Sequence, residues 1–164
     1  MIIRKDQVQV AVDDENRAAR RGPFELLRYS QAGGLTQFGA YVETLQPGSS
    51  SSDRHWHEAE DEFLYVLSGE ATVVEDDGAH VLLPGDAACW PAGVANAHHV
   101  QNRSEAPCVY LIAGTRAPRD ILHYPDSGQI LHNEEDRWRL VRTDGTLVKS
   151  GTFSYAAGST LDEA

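Results

Sequence analysis

Along most of this chain, apolar residues alternate with polar ones in short runs, and turn-forming residues separate the runs. Phe24 to Tyr29 and Leu35 to Leu45 are the first substantial runs, divided by Gly33-Gly34. The β-branched and aromatic residues of the second, Phe38, Tyr41, Val42 and Thr44, favour strand over helix. A polar loop, Pro47 to Asp53, follows. Further strands are predicted at Arg54 to His57, Glu62 to Leu67, Ala71 to Glu75, His80 to Leu83, Ala87 to Trp90, His98 to Gln101 and Val109 to Ala113. Asp77-Gly78 is a hairpin signal, because glycine takes the positive φ that tight turns need. Strands at this spacing imply an all-β barrel or sandwich. Helix is scarce. Asp13 to Arg21 suits a short one, with Asp13 as N-cap and Gly22-Pro23 as its end. Residues 116–164 are less regular, apart from a late hairpin at Trp138 to Arg142 with Asp144-Gly145-Thr146 as its turn. The last dozen residues are expected to fray. This divides the chain into N-terminal strands and a short helix (1–34), a barrel core (35–115) and a C-terminal extension (116–164).

Charge narrows the partners. Fourteen Lys and Arg face 25 Asp and Glu, for a net charge of −11. Nucleic-acid binding needs clustered cations that displace phosphate counterions, and Arg17, Arg20 and Arg21 follow directly on Asp13, Asp14 and Glu15. No run of 18 apolar residues is present, and the opening Met1-Ile2-Ile3-Arg4-Lys5-Asp6 lacks the apolar stretch of a secretory signal. The expectation is a cytoplasmic protein with neither nucleic-acid nor membrane partners. Cys89 and Cys108 then read as reduced, packed thiols, Cys89 being the better candidate for chemistry.

The seven histidines carry the chemical signal. Strand side chains alternate, so His55 and His57 project from one face with Trp56 opposite. Two imidazoles a pleat apart suit one cation. Glu62 lies an odd number of residues beyond His57, so joining them requires a break within Glu58-Ala59-Glu60-Asp61. A third imidazole must come from His98 or His99, which alternate; Val100 shares the face of His98 and favours His98 inward. Three imidazoles and one carboxylate suit one divalent transition-metal ion (Fe, Mn, Ni, Co or Zn), not an all-oxygen Ca or Mg site. On an octahedral ion, four protein ligands leave two positions open. Glu58, Glu60 and Asp61 read as solvated charges, and His80, His123 and His132 as surface or hydrogen-bonded residues. Trp90, Tyr41, Phe38 and Tyr65 either line a pocket or fill the barrel.

Gly48-x6-His55-x-His57-x4-Glu62-x6-Gly69 and Gly85-x5-Pro91-x-Gly93-x4-His98-x3-Asn102 resemble the two signatures of the cupin superfamily. The gap from Gly48 to His55 is one residue longer than the usual pattern and that from Gly93 to His98 two longer. Spacing back from Asn102 supports His98, whereas a register shift hands the role to His99. The resemblance covers roughly residues 35 to 115, and the phrasing around both motifs is similar to small single-domain bacterial cupins. It implies a double-stranded β-helix (jelly-roll) barrel with a short N-terminal helix and an irregular C-terminal segment. It also implies one metal ion on His55, His57, Glu62 and His98, and a homodimer. Catalytic residues are left unassigned. The function expected is that of a metal-dependent enzyme acting on a small polar or anionic molecule, with oxygenase ranked slightly above lyase and isomerase. The alternative is a non-catalytic module that binds a small ligand or stores metal.

Overall fold

A computed structural model describes residues 1–12 and 19–152. Its strands are β1 (Val10–Val12), β2 (Phe24–Arg28), β3 (Phe38–Leu45), β4 (Trp56–His57), β5 (Glu62–Ser68), β6 (Ala71–Glu75) and β7 (Gly78–Leu82). They continue as β8 (Ala87–Trp90), β9 (His99–Gln101), β10 (Cys108–Thr115), β11 (Arg119–Tyr124), β12 (Gln129–Glu134), β13 (Arg137–Arg142) and β14 (Leu147–Thr152). All pairings are antiparallel. One sheet runs β1-β2-β3-β10-β5-β8. The second is made of β7-β6-β9 and β4-β11-β12-β13-β14, and the backbone pair His55–His98 joins the two parts.

Alternation decides what lies between the sheets. On β5, Leu64 and Val66 point inward, while Phe63, Tyr65 and Leu67 point out. Leu45, Val73, Val100, Cys108 and Tyr110 complete the enclosed core, and Trp90 and Phe24 close its ends. Burying these side chains is the main favourable term, each large one worth about 1.5–3 kcal/mol. Gly69 shows how tightly the β5–β6 turn is held: at φ +75°, a Cβ there would meet Pro107 O at 2.4 Å, so only glycine fits.

Several expectations shift. A one-turn helix, Tyr29–Ala32, separates β2 from β3, which begins at Phe38 and not at Leu35. The β6–β7 turn is Asp76-Asp77, and Gly78 opens β7 at φ 138°, paired with Glu75. Of the helix expected at Asp13 to Arg21, residues 19–21 are helical and Asp13 to Ala18 lie outside the described residues, as does the tail expected to fray. Within the described residues, the segment after 115 is not irregular. Residues 119–152 form a four-stranded meander whose first strand pairs with β4, in the register Leu122–His57 and His123–Trp56. Apolar Leu122, Leu131 and Trp138 alternate with polar residues along this meander and pack as a second small core. That alternation makes it sheet. Among the described residues, no helix is long and apolar enough to cross a membrane.

Candidate metal centre

The centre is built by backbone pairing. His55 and His98 exchange two hydrogen bonds (His55 N to His98 O, 3.1 Å; His98 N to His55 O, 2.9 Å), so their side chains leave the same face side by side. The rings are 5.4 Å apart. His57, one pleat on, places its ring 5.1 Å from that of His55. The chain then crosses from the second sheet to the first between β4 and β5, which is the break that the odd offset of Glu62 requires. Glu62 opens β5 on its inward face, in step with Leu64 and Val66. Its Oε2 lies 2.7 Å from His98 Nε2 and 3.6 Å from His57 Nε2. Donor atoms of His55, Glu62 and His98 all fall within 4.8 Å of one another. The structure therefore brings His55, His57, Glu62 and His98 together. His99 turns away: its Nδ1 donates to Ser52 O at 2.9 Å.

The donor set fits a metal ion in its protonation and in its orientation. Burial pushes the His55 imidazole down to about 4, so it is neutral at neutral pH. Burial opposes charge on Glu62 as well. The hydrogen bond from His98 and the positive field of the three imidazoles outweigh it and hold the carboxyl at about 2, ionised. In each imidazole Nδ1 is taken by a protein oxygen: Asp53 O for His55 (2.8 Å), Asp120 Oδ2 for His57 (2.5 Å) and Asn96 O for His98 (3.1 Å). This orients each ring with Nε2 toward the centre, where that of His98 meets the Glu62 carboxylate, the arrangement usual for metal-binding imidazoles.

Asp120 was not visible from the sequence. It is 3% exposed, comes from β11, and also accepts Ala59 N–H at 2.8 Å. Burial disfavours its charge, but the bond from His57 wins and lowers its carboxyl; in return Asp120, against the burial of the ring, raises His57. His57, Glu60 and Asp120 also form a compact group. Both Asp120 oxygens are already engaged and Glu60 Oε1 accepts Ala117 N–H at 2.8 Å, so the group serves as support for His57. Glu60 is thus half-buried, and not the solvated charge expected; desolvation raises its carboxyl. Asp120→Asn keeps the shape and removes the charge that orients His57. Metal affinity measured by competitive chelation is expected to fall about 10–100-fold; an unchanged affinity would remove Asp120 from the site.

Trp90 lines the centre: its ring stacks on His98 at 3.8 Å and 6°, and Nε1 donates to Glu75 Oε1 at 2.6 Å. Phe38 lines a pocket with Glu62 and Trp90, whereas Tyr65 neither lines that pocket nor fills the barrel. Both lie on the outer face of the first sheet, because their strand positions have the opposite parity to the core residues. Tyr41 OH accepts from Arg116 at 3.0 Å. Cys89 pairs across from Phe63 on that same outer face and is exposed, while Cys108 is buried. Among the remaining histidines, His123 stacks on Trp56 at 4.2 Å and bonds Glu58, and His80 bonds Asp77. Tyr124, also unforeseen, sets its ring 5.7 Å from that of His55, and burial pushes its phenol up to about 12.

Comparison with known proteins agrees with this architecture. The chain belongs to the cupin family: the family model described as "Cupin domain" matches residues 41–114. Protein SchB of Streptomyces halstedii is 33% identical over 129 residues, covering 77% of this chain and 88% of that protein. The tetracenomycin polyketide synthase protein TcmJ of Streptomyces glaucescens is 32% identical over 103 residues, 62% of this chain and 66% of that protein. Among solved structures, a cupin-superfamily sugar phosphate isomerase from Silicibacter pomeroyi superposes with a TM-score of 0.82 at 34% identity, covering 91% of this chain and 97% of that one.

Proposed function

We propose that this chain is a metal-dependent enzyme that isomerises a small polyhydroxylated anion, with one divalent transition-metal ion held by His55, His57, Glu62 and His98. The observation that carries the reading is the set of three imidazoles, each with Nδ1 engaged by a protein oxygen, around one buried, ionised carboxylate. A bound divalent ion supplies Lewis acidity that lowers the cost of negative charge on a substrate carbonyl oxygen. The protein's own part is to hold three imidazoles with Nε2 toward the centre and to keep Trp90 against His98 so that the ring cannot rotate. The solved relative named as a sugar phosphate isomerase supports isomerase over oxygenase, reversing the order taken from the sequence.

The test is direct. Quantify metals in the purified protein, restore Fe(II), Mn(II), Zn(II), Ni(II) or Co(II), and follow phosphosugars by NMR under nitrogen. Aldose–ketose or epimer interconversion without oxygen is the expected result. Consumption that requires oxygen returns the oxygenase reading. Thermal stabilisation by a sugar without turnover supports the binding module.

The homodimer belongs to the same proposal. The outer face of the first sheet carries the cross-strand rows Tyr65–Leu111–Val42 and Phe63–Ala113–Ala40. Phe63, Tyr65 and the neighbouring Leu67 and Phe38 are 38–47% exposed. Monomers rarely leave an apolar patch of this kind bare, and a second copy covers it with matching chemistry. Tyr65→Lys with Leu111→Lys should halve the mass measured by light scattering, leaving the fold intact. Equal masses would place the dimer, if present, elsewhere. Two free thiols suit a reducing cytoplasm.

A further inference from the structure

Resting on the metal-centre reading above, we propose that Tyr124 is a catalytic residue whose phenolic O–H donates a hydrogen bond to an oxygen of the small molecule bound at that centre. Strand register puts it there. Leu122 sits opposite His57 on β11 and β4, and opposed residues of an antiparallel pair share a face. Asp120 and Tyr124, two residues to either side of Leu122, therefore face the interior with the histidines. Asp120 takes the level beyond His57. Tyr124 takes the level of His55, its ring tilted 37° to the imidazole at 5.7 Å between centroids.

The hydroxyl is what separates a functional group from a packing ring. A half-buried tyrosine gives its O–H either to a protein acceptor or to whatever fills the space beside it. Among the described residues, no group hydrogen-bonds the Tyr124 hydroxyl, although Arg21, Asp53, Glu62 and Asp120 all stand within electrostatic reach of it. Asp53 is tied to Arg21 by a 2.6 Å ion pair and, through its backbone oxygen, to His55. The phenol thus stands beside His55, in the field of the Glu62 carboxylate and the Arg21–Asp53 pair, with its donor unspent. A small oxygenated molecule beside His55 offers that donor its partner. A phenol placed there stabilises growing negative charge on a substrate oxygen without carrying charge itself.

The experiment uses the full chain loaded with Co(II), whose d–d absorption reports changes at the ion, and glycolate as the probe. For Tyr124→Phe, Co(II) affinity and melting temperature should match the wild type, while the glycolate Kd rises about tenfold, as expected for one hydrogen bond to an anion. Tyr124→Leu removes the ring as well. If Tyr124→Phe binds glycolate as the wild type does and only Tyr124→Leu is impaired, Tyr124 is a packing residue and the proposal is overturned. If the wild type takes up no Co(II), the metal centre itself fails and this inference fails with it. Co(II) uptake with no glycolate response in the wild type overturns the inference alone, by denying the probe a place beside the phenol.

Discussion

In the His57→Ala variant, metal content after purification is expected to fall to a small fraction of that of the wild type. The loss in affinity should exceed the roughly 10–100-fold that removal of an outer partner such as Asp120 produces. His57 supplies a donor nitrogen, and it is the only ring whose Nδ1 is held by a side-chain carboxylate. Removing it leaves the buried Asp120 charge with only backbone N–H partners, those of Ala59 and Ile121, a cost on the order of 1–3 kcal/mol. The double variant His57→Ala, Asp120→Asn neutralises that charge and isolates the metal effect from the loss of stability. Metal content is read by elemental analysis, with circular dichroism as the check on folding. Full metal retention by a folded double variant would end the ligand assignment.

The second large effect concerns Trp90. It is 6% exposed, packs in the main core, stacks on His98 and donates to Glu75. Trp90→Ala removes a large buried ring and is expected to cost about 3–5 kcal/mol in chemical denaturation. It also frees His98 to rotate, so metal affinity should fall together with stability. Trp90→Phe keeps a ring against His98 and loses only the bond to Glu75. That variant should lose about 1 kcal/mol beyond its change in packing and keep most of its metal. Equal metal loss in both variants would mean that the stack does not restrain His98. A denaturation midpoint for Trp90→Ala equal to that of the wild type would mean that the ring is not part of the core.

Much of the site was legible because strand alternation is a local rule. His55 and His57 share a face whatever lies around them, and the odd offset to Glu62 demanded a break before β5, which the structure supplies as a crossing between sheets. The choice between His98 and His99 was also framed by alternation, but pairing with His55 resolved it. The aromatic residues were harder. Phe38 and Tyr65 look like core by composition. Their parity in the strand places them outside, and parity is readable only once register with the neighbouring strands is known. Apart from the hairpin at Trp138 to Arg142, the segment from 116 read as less regular because its strands offer few large apolar residues, and those, Leu122, Leu131 and Trp138, meet only in a small second core.

What the amino-acid order determined by itself is the set of short amphipathic strands, the turns between them, and an imidazole pair with a carboxylate in cupin spacing. Each depends on neighbours a few residues away, where the pleat dictates direction. Asp120 and Tyr124 lie more than 60 residues from the histidines they adjoin. They reach the centre because β11 docks on β4, and no local pattern announces that pairing. Which strand settles beside which is chosen by the burial of whole apolar faces. The support of His57 and the phenol beside His55 therefore belong to the tertiary structure alone.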